Sequence, residues 1–134
     1  MPSKRFVELQ PDECWQRVRN ATPRVGRLGF LLDQHPIVLP VNYAVDDEAV
    51  VVRFSGDTVF DDAANTRVAF EVDEVDEVWE RGWSVLIQGQ AREVVNEEEV
   101  ARLATLPLRP WAAADRVLFL RIDARHGISG RAIE

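Results

Sequence analysis

Apolar side chains recur along much of the chain at every second position, in runs of strand length separated by turn-forming residues. The clearest run is RGWSVLIQGQARE, residues 81–93. Its odd positions carry Trp83, Val85 and Ile87, then the small Gly89 and Ala91, and this alternation assigns them to a core-facing side. Its even positions carry Ser84, Leu86, Gln88, Gln90 and Arg92. A solvent-facing set in a chain with 29% charged residues should hold more Lys and Glu. Two neutral amides and a serine raise the question of what this face looks at.

The same alternation places strands at 24–32, 37–45, 49–54, 67–73, 116–123 and, as a short last one, 127–133. Val68, Phe70 and Val72 share one side of the fourth of these. Pro40 points to an edge or a bulge, because proline donates no ladder hydrogen bond. Gly26 and Gly29 mark places where a backbone or ligand can come close. DQHP turns the chain, and DDE joins the next two strands as a hairpin.

Three short helices are predicted. QPDECWQRVRNATPR has Pro11 in the first turn, Asp12 and Glu13 favouring the dipole, and Cys14, Trp15 and Val18 on one face. Thr58 with Asp61 three residues on predicts a short helix at 58–64. NEEEVARLATL, with Asn96 as cap and Glu99 at the third helical position, runs until Pro107. The acidic EVDEVWE (74–80) reads as a solvated loop. About six or seven strands at hairpin spacing predict a mainly-β barrel with a few short helices. Residues 1–134 form a single domain, with 1–8 a loose N-terminal segment.

Composition narrows the function. At 134 residues one domain buries roughly 68% of its unfolded surface. The net charge of −7 argues against a nucleic-acid partner, since phosphate backbones call for basic stripes. Cys14 is the only cysteine, which excludes a disulfide framework and fits a reducing compartment. No apolar run follows the N-terminal basic pair, and none reaches the roughly 20 residues of a membrane span. A cytoplasmic protein without a membrane partner is the expectation. His35 and His126 lie far apart, so no metal site is expected. Neither a G-x-S-x-G elbow nor a P-loop is present. If the protein is an enzyme, a redox cofactor fits that silence.

The ordered motifs GRLGF, PVNY, VVRF..GDT, VAFEVD, GWSVLIQGQA and PW....R...RI.....ISGR resemble the pyridoxamine 5′-phosphate oxidase-like family of FMN-binding split β-barrels, in its short bacterial branch. The similarity spans about residues 9–133. It implies a split β-barrel, a homodimer, and two flavin sites at the subunit interface. The Ser84, Gln88 and Gln90 face would then look at the partner and the cofactor groove. It implies FMN as cofactor, with a deazaflavin, or no bound cofactor in a degenerate dimer, as alternatives.

Carried over residue by residue, the resemblance places the flavin phosphate near Arg53, Ser55 and Thr58. Asn42 and Tyr43 would lie beside the ring, with Trp83, Ser84 and Gln88 along the groove. Arg109, Arg116 and Arg131 are further cations, Trp111 can stack on a ring, and Arg131 would reach across the interface. Two departures stand out. Val59 occupies the place of a common lysine, and Gln88 and Gln90 stand where arginines are frequent. The implied activity is a flavin-dependent oxidoreductase, with no residue marked as general acid or base.

Overall fold

The computed structural model describes residues 4–55, 59–108, 117–124 and 127–133, and of Ser55, Val59 and Val117 the backbone only. Its elements run β1 (Phe6–Leu9), α1 (Pro11–Asn20), β2 (Val25–Leu32), β3 (His35–Asp46), β4 (Ala49–Ser55), a 3-10 turn (Val59–Asp62), β5 (Arg67–Asp76), β6 (Arg81–Glu93), α2 (Glu97–Leu103), β7 (Val117–Asp123) and β8 (Ile128–Ile133). All pairings are antiparallel. The order β6-β5-β2-β3-β4-β7 closes on itself through a β6–β7 pairing, and β8 followed by β1 extends from β6. This is a split β-barrel.

The turns follow from local chemistry. Leu32 pairs with His35, so Asp33 and Gln34 alone make the loop, both at positive φ, as a right-twisted two-residue hairpin requires. Asp47 does the same between β3 and β4. Pro40 lies in the part of β3 that pairs with β2 alone, where its missing donor costs nothing. The Asn96 side chain accepts from the Glu99 amide at 3.0 Å, as its position predicts.

Four expectations are corrected. Residues 6–9 are not loose: they form β1, paired with β8, and bury Leu9. Four residues are too few for alternation to show. The connector 74–80 is loop only from Glu77, because β5 continues to Asp76 opposite Arg81 and keeps its acidic side chains in solvent. The helix expected at 58–64 is a 3-10 turn at Val59–Asp62. The helix expected to run to Pro107 ends at Leu103, where the chain turns to lay Leu108 against the barrel wall.

Strand β6 governs the architecture. Along one edge it pairs with β5 throughout; along the other it pairs with β8 over Gly82–Ile87 and with β7 over Gln90–Glu93. The exchange of partners falls at Gln88–Gly89, where the Gln88 amide donates to the Gly127 carbonyl at 2.8 Å. A Cβ on Gly89 would overlap the Asp123 carbonyl oxygen, and one on Gly127 would overlap that of Gln88. Only glycine lets these three segments of the chain meet there.

The alternation along β6 then sorts the molecule. Trp83, Val85, Ile87 and Ala91 are buried with Leu28, Tyr43, Phe70, Leu120 and Ile122 in the barrel core. Helix α1 plugs one end with Cys14, Trp15 and Val18. Helix α2 covers a second cluster on the outside of β4 and β7, formed by Val51, Leu103, Leu108 and Phe119. Charges pin it there. Asp46 takes Arg102 at 2.6 Å and also Arg121, while Glu99 takes Arg92 through two bonds of 3.1 Å each. The hydrogen bond from Arg102, seconded by Arg121, holds the Asp46 carboxyl below its usual range; that from Arg92 does the same for Glu99.

The outer face of the sheet runs in rows across the strands. One row is Gln88, Ala69, Gly29 and Val38, without a charge. The next is Ser129, Leu86, Glu71, Arg27 and Pro40. Arg27 lies 3.6 Å from Glu71 and 3.5 Å from Asp73. Burial, together with the hydrogen bond and charge of Asp73, pushes Glu71 up to about 7, against the pull of Arg27.

Gly89→Val should overpack the partner exchange and cost at least about 1 kcal/mol, lowering the melting temperature by roughly 3 °C or more. Wild-type melting would mean that the three segments do not meet at Gly89. Stability should also peak in mildly acidic solution. The depressed carboxyls of Asp46 and Glu99 stabilise the fold above their unfolded values of about 4, and that contribution is lost as pH falls further. Glu71 acts oppositely: its contribution is full below its unfolded value and is lost as pH rises through about 7. Melting temperatures of Glu71→Gln across pH 3 to 9, all rough set points, should keep the acid limb and flatten the alkaline one; an unchanged alkaline limb would contradict this.

Candidate flavin groove

The residues singled out from the sequence fall into two groups on the barrel exterior. The first lies on β6 and β8. Ser84 pairs with Arg131 in the ladder, and Glu8 of β1 continues that row. The Arg131 guanidinium lies over the Phe6 ring, 4.7 Å from its centre. Gln88 is exposed four residues along β6 from Ser84, on the same face. A cleft of about 510 Å³ follows this face, with Phe6, Ser84, Leu86, Ser129 and Arg131 among its walls.

The second group lies on β3 and β4. Asn42 shares the outward side of β3 with Pro40 and Ala44, and Ala44 pairs with Val51, two residues before Arg53. Arg53 sits opposite Phe119, with its guanidinium 6.0 Å from the ring centre. One of its amino groups donates to the Leu108 carbonyl at 3.1 Å. Its Nε is buried with no acceptor. An orphaned buried donor is rare in a folded protein. Ser55 ends β4 opposite Val117.

Gln88 begins the uncharged row Gln88, Ala69, Gly29 and Val38, whereas Ser84 stands opposite Asp73 and the row between them carries Glu71 and Arg27. Gly29 differs from Gly89 here: a Cβ on it would make only ordinary contacts, the nearest at 3.7 Å. The packing of this chain therefore does not require a glycine at 29, and the flatness is available to something outside it. Val38 and Leu31, at 66% and 63% exposure, add apolar surface beside it. Arg131 lies level with Ser84 and Arg53 level with Phe119, and among the described residues no contact joins the two in one chain.

Two residues expected at the site lie elsewhere. Tyr43 is core, 1% exposed, with its hydroxyl donating to the Val18 carbonyl at 2.6 Å and burial pushing it up to about 12. Trp83 points inward from the groove face, as its odd position in β6 demands, and donates from its indole to Glu74 at 3.3 Å. Thr58, Arg109, Trp111 and Arg116 lie outside the described residues. Phe6, Leu86 and Ser129 were not anticipated as groove walls. The even position of Leu86 in β6 was the available signal, whereas Phe6 sits in a strand too short to show a period.

Comparison with known proteins agrees with this geometry. An uncharacterized protein of Mycobacterium tuberculosis, Rv0080, is 34% identical over 140 residues, covering 94% of this chain and 86% of that protein. The solved structure of an FAD binding protein from Mycobacterium smegmatis superposes with a TM-score of 0.81 at 29% identity, over 96% of this chain and 100% of that one. A conserved protein of unknown function from Corynebacterium diphtheriae superposes with a TM-score of 0.79 at 33% identity, over 96% and 98%. The family model for pyridoxamine 5′-phosphate oxidase matches residues 10–131. With nearly the whole chain matched and the split barrel in place, this chain belongs to the pyridoxamine 5′-phosphate oxidase family.

Proposed function

We propose that this protein is a homodimeric, flavin-dependent oxidoreductase whose cofactor lies in a groove between two copies of the outer face. The orphaned Nε of Arg53 is the observation that carries this reading. A guanidinium with one arm on a carbonyl and another donor free fits a phosphate oxygen, and such charged bonds are the strong ones. FMN and FAD share that phosphate. The relative from Mycobacterium smegmatis binding FAD supports a flavin of either kind.

Pairing two copies through the uncharged row would set Arg53 and Asn42 of one against Ser84, Gln88 and Arg131 of the other. The flat surface at Gly29 and Ala69 admits a planar ring, and closure over it excludes water. A bound flavin would supply hydride or electron transfer; the residues of this chain bind and orient it. Val59, Gln88 and Gln90 favour a second reading, a dimer that keeps the groove but holds flavin weakly, since each lost charged hydrogen bond costs roughly 1.5–3 kcal/mol.

Two measurements test the reading. Light scattering at micromolar concentration should give a dimer, and its interface should bury well over about 2,000 Å²; a monomer removes the shared groove. Titrations followed by flavin fluorescence should show Arg53→Ala weakening FMN about ten- to a hundredfold. Val59→Lys should tighten it, and riboflavin, without phosphate, should be indifferent to both. FAD and a deazaflavin run as parallel arms identify the cofactor. Equal FMN affinity in Arg53→Ala and wild type would place the phosphate elsewhere, and no binding by any variant would favour the degenerate dimer.

A further inference from the structure

We propose that a second cleft, between α1 and the β5–β6 hairpin, binds a small organic monocarboxylate with an apolar body. The cleft measures about 650 Å³, within the roughly 300–1,000 Å³ of small-molecule pockets. Four charged side chains line it, Arg17, Arg81, Glu74 and Asp76, so net charge alone favours no ligand. Hydrogen bonding breaks the tie.

Both carboxylates are already engaged by the chain itself. Glu74 accepts from the Thr22 amide at 3.2 Å with one oxygen and from the Trp83 indole at 3.3 Å with the other. Asp76 accepts from the amides of Val78 and Trp79 at 3.0 and 3.2 Å, which fixes the hairpin turn. The two guanidiniums have no such partners. Arg17 lies 6.0 Å from the centre of the Trp83 ring and Arg81 lies 5.7 Å from that of Trp79. Among the described residues neither makes an ion pair or a hydrogen bond. Stacking on an aromatic face holds a guanidinium while leaving its in-plane donors free. Of these four groups the guanidiniums alone have no hydrogen-bonded partner among the described residues, while Asp76 keeps one oxygen without one.

The rest of the lining is apolar. Gly82 lies between Val75 on β5 and Ile133 on β8 in the ladder, where a Cβ would press on the Glu74 carbonyl oxygen at 2.9 Å. Trp83 and Ala132 form the inner wall. A ligand with one planar carboxylate matches a guanidinium fork, and an apolar tail lies against Val75, Trp83, Ala132 and Ile133. A doubly charged phosphate would meet repulsion from Glu74 and Asp76. The lining of this cleft includes none of Arg53, Ser84, Gln88 or Arg131, although a smaller cleft lined by Arg81, Gly82, Trp83, Ser84 and Arg131 adjoins it and the proposed flavin groove.

The probe is 4-phenylbutyrate, compared by calorimetry with its neutral counterpart 4-phenylbutanol, on the full chain at neutral pH. The acid should bind at least about tenfold more tightly than the alcohol, the scale of one charge-assisted contact. In Arg17→Ala/Arg81→Ala that preference should vanish, whereas flavin affinity should stay at the wild-type value. Equal binding of acid and alcohol by the wild type would overturn the proposal. So would no heat from the acid up to about 5 mM, or a preference that survives the double substitution. A flavin titration that fails while the acid preference holds would sink the groove reading and leave this cleft standing.

Discussion

The architecture depends on three segments of the chain meeting without intervening side chains at Gln88–Gly89. There β7 gives up its place beside β6 and β8 takes it. Gly89 admits the carbonyl of Asp123, and Gly127 admits that of Gln88. Because the exchange is so close, β6 keeps an unbroken alternation over Arg81–Glu93 while serving three partners. One strand therefore fixes which residues fill the barrel and which form its outer wall.

That wall explains the unusual even-numbered side chains of β6. Leu86, Gln88 and Gln90 lie on a sheet face whose central row carries no charge and whose Gly29 is not required by internal packing. The costs of such a face are visible at its margin, where Glu71 shares Arg27 with Asp73 and is pushed toward neutral pH. Elsewhere the same protein surrounds its surface carboxylates with arginines, as around Asp46 and Glu99. A flat, neutral face beside a buried guanidinium donor without an acceptor is the combination expected of a shared cofactor groove.

Much of this was readable from residue patterns. The alternation in 67–73 and 81–93, the Asn96 cap and the turn residues Asp33, Gln34 and Asp47 each act locally, so their consequences appear in the order of residues. What could not be read depends on contacts distant in sequence. Phe6–Leu9 becomes a strand only because β8 offers it an edge. The acidic end of β5 stays extended because Arg81 and Gly82 pair with it. Trp83 was assigned to the groove by resemblance although its odd position already turned it inward. That Arg53 would spend one arm on the Leu108 carbonyl needed the path of the chain beyond α2.

The central claim is that the neutral row is both the dimer face and the floor of the flavin groove. Ala69 lies in the middle of that row and points outward, so a charge there should leave the barrel folded while blocking anything that packs on it. Sedimentation of Ala69→Arg in the presence of FMN, followed at the flavin absorbance, tests the claim most directly. The account predicts a folded monomer with flavin left in the unbound fraction, against a flavin-carrying dimer for the wild type. A variant that sediments as a dimer with flavin attached would contradict it.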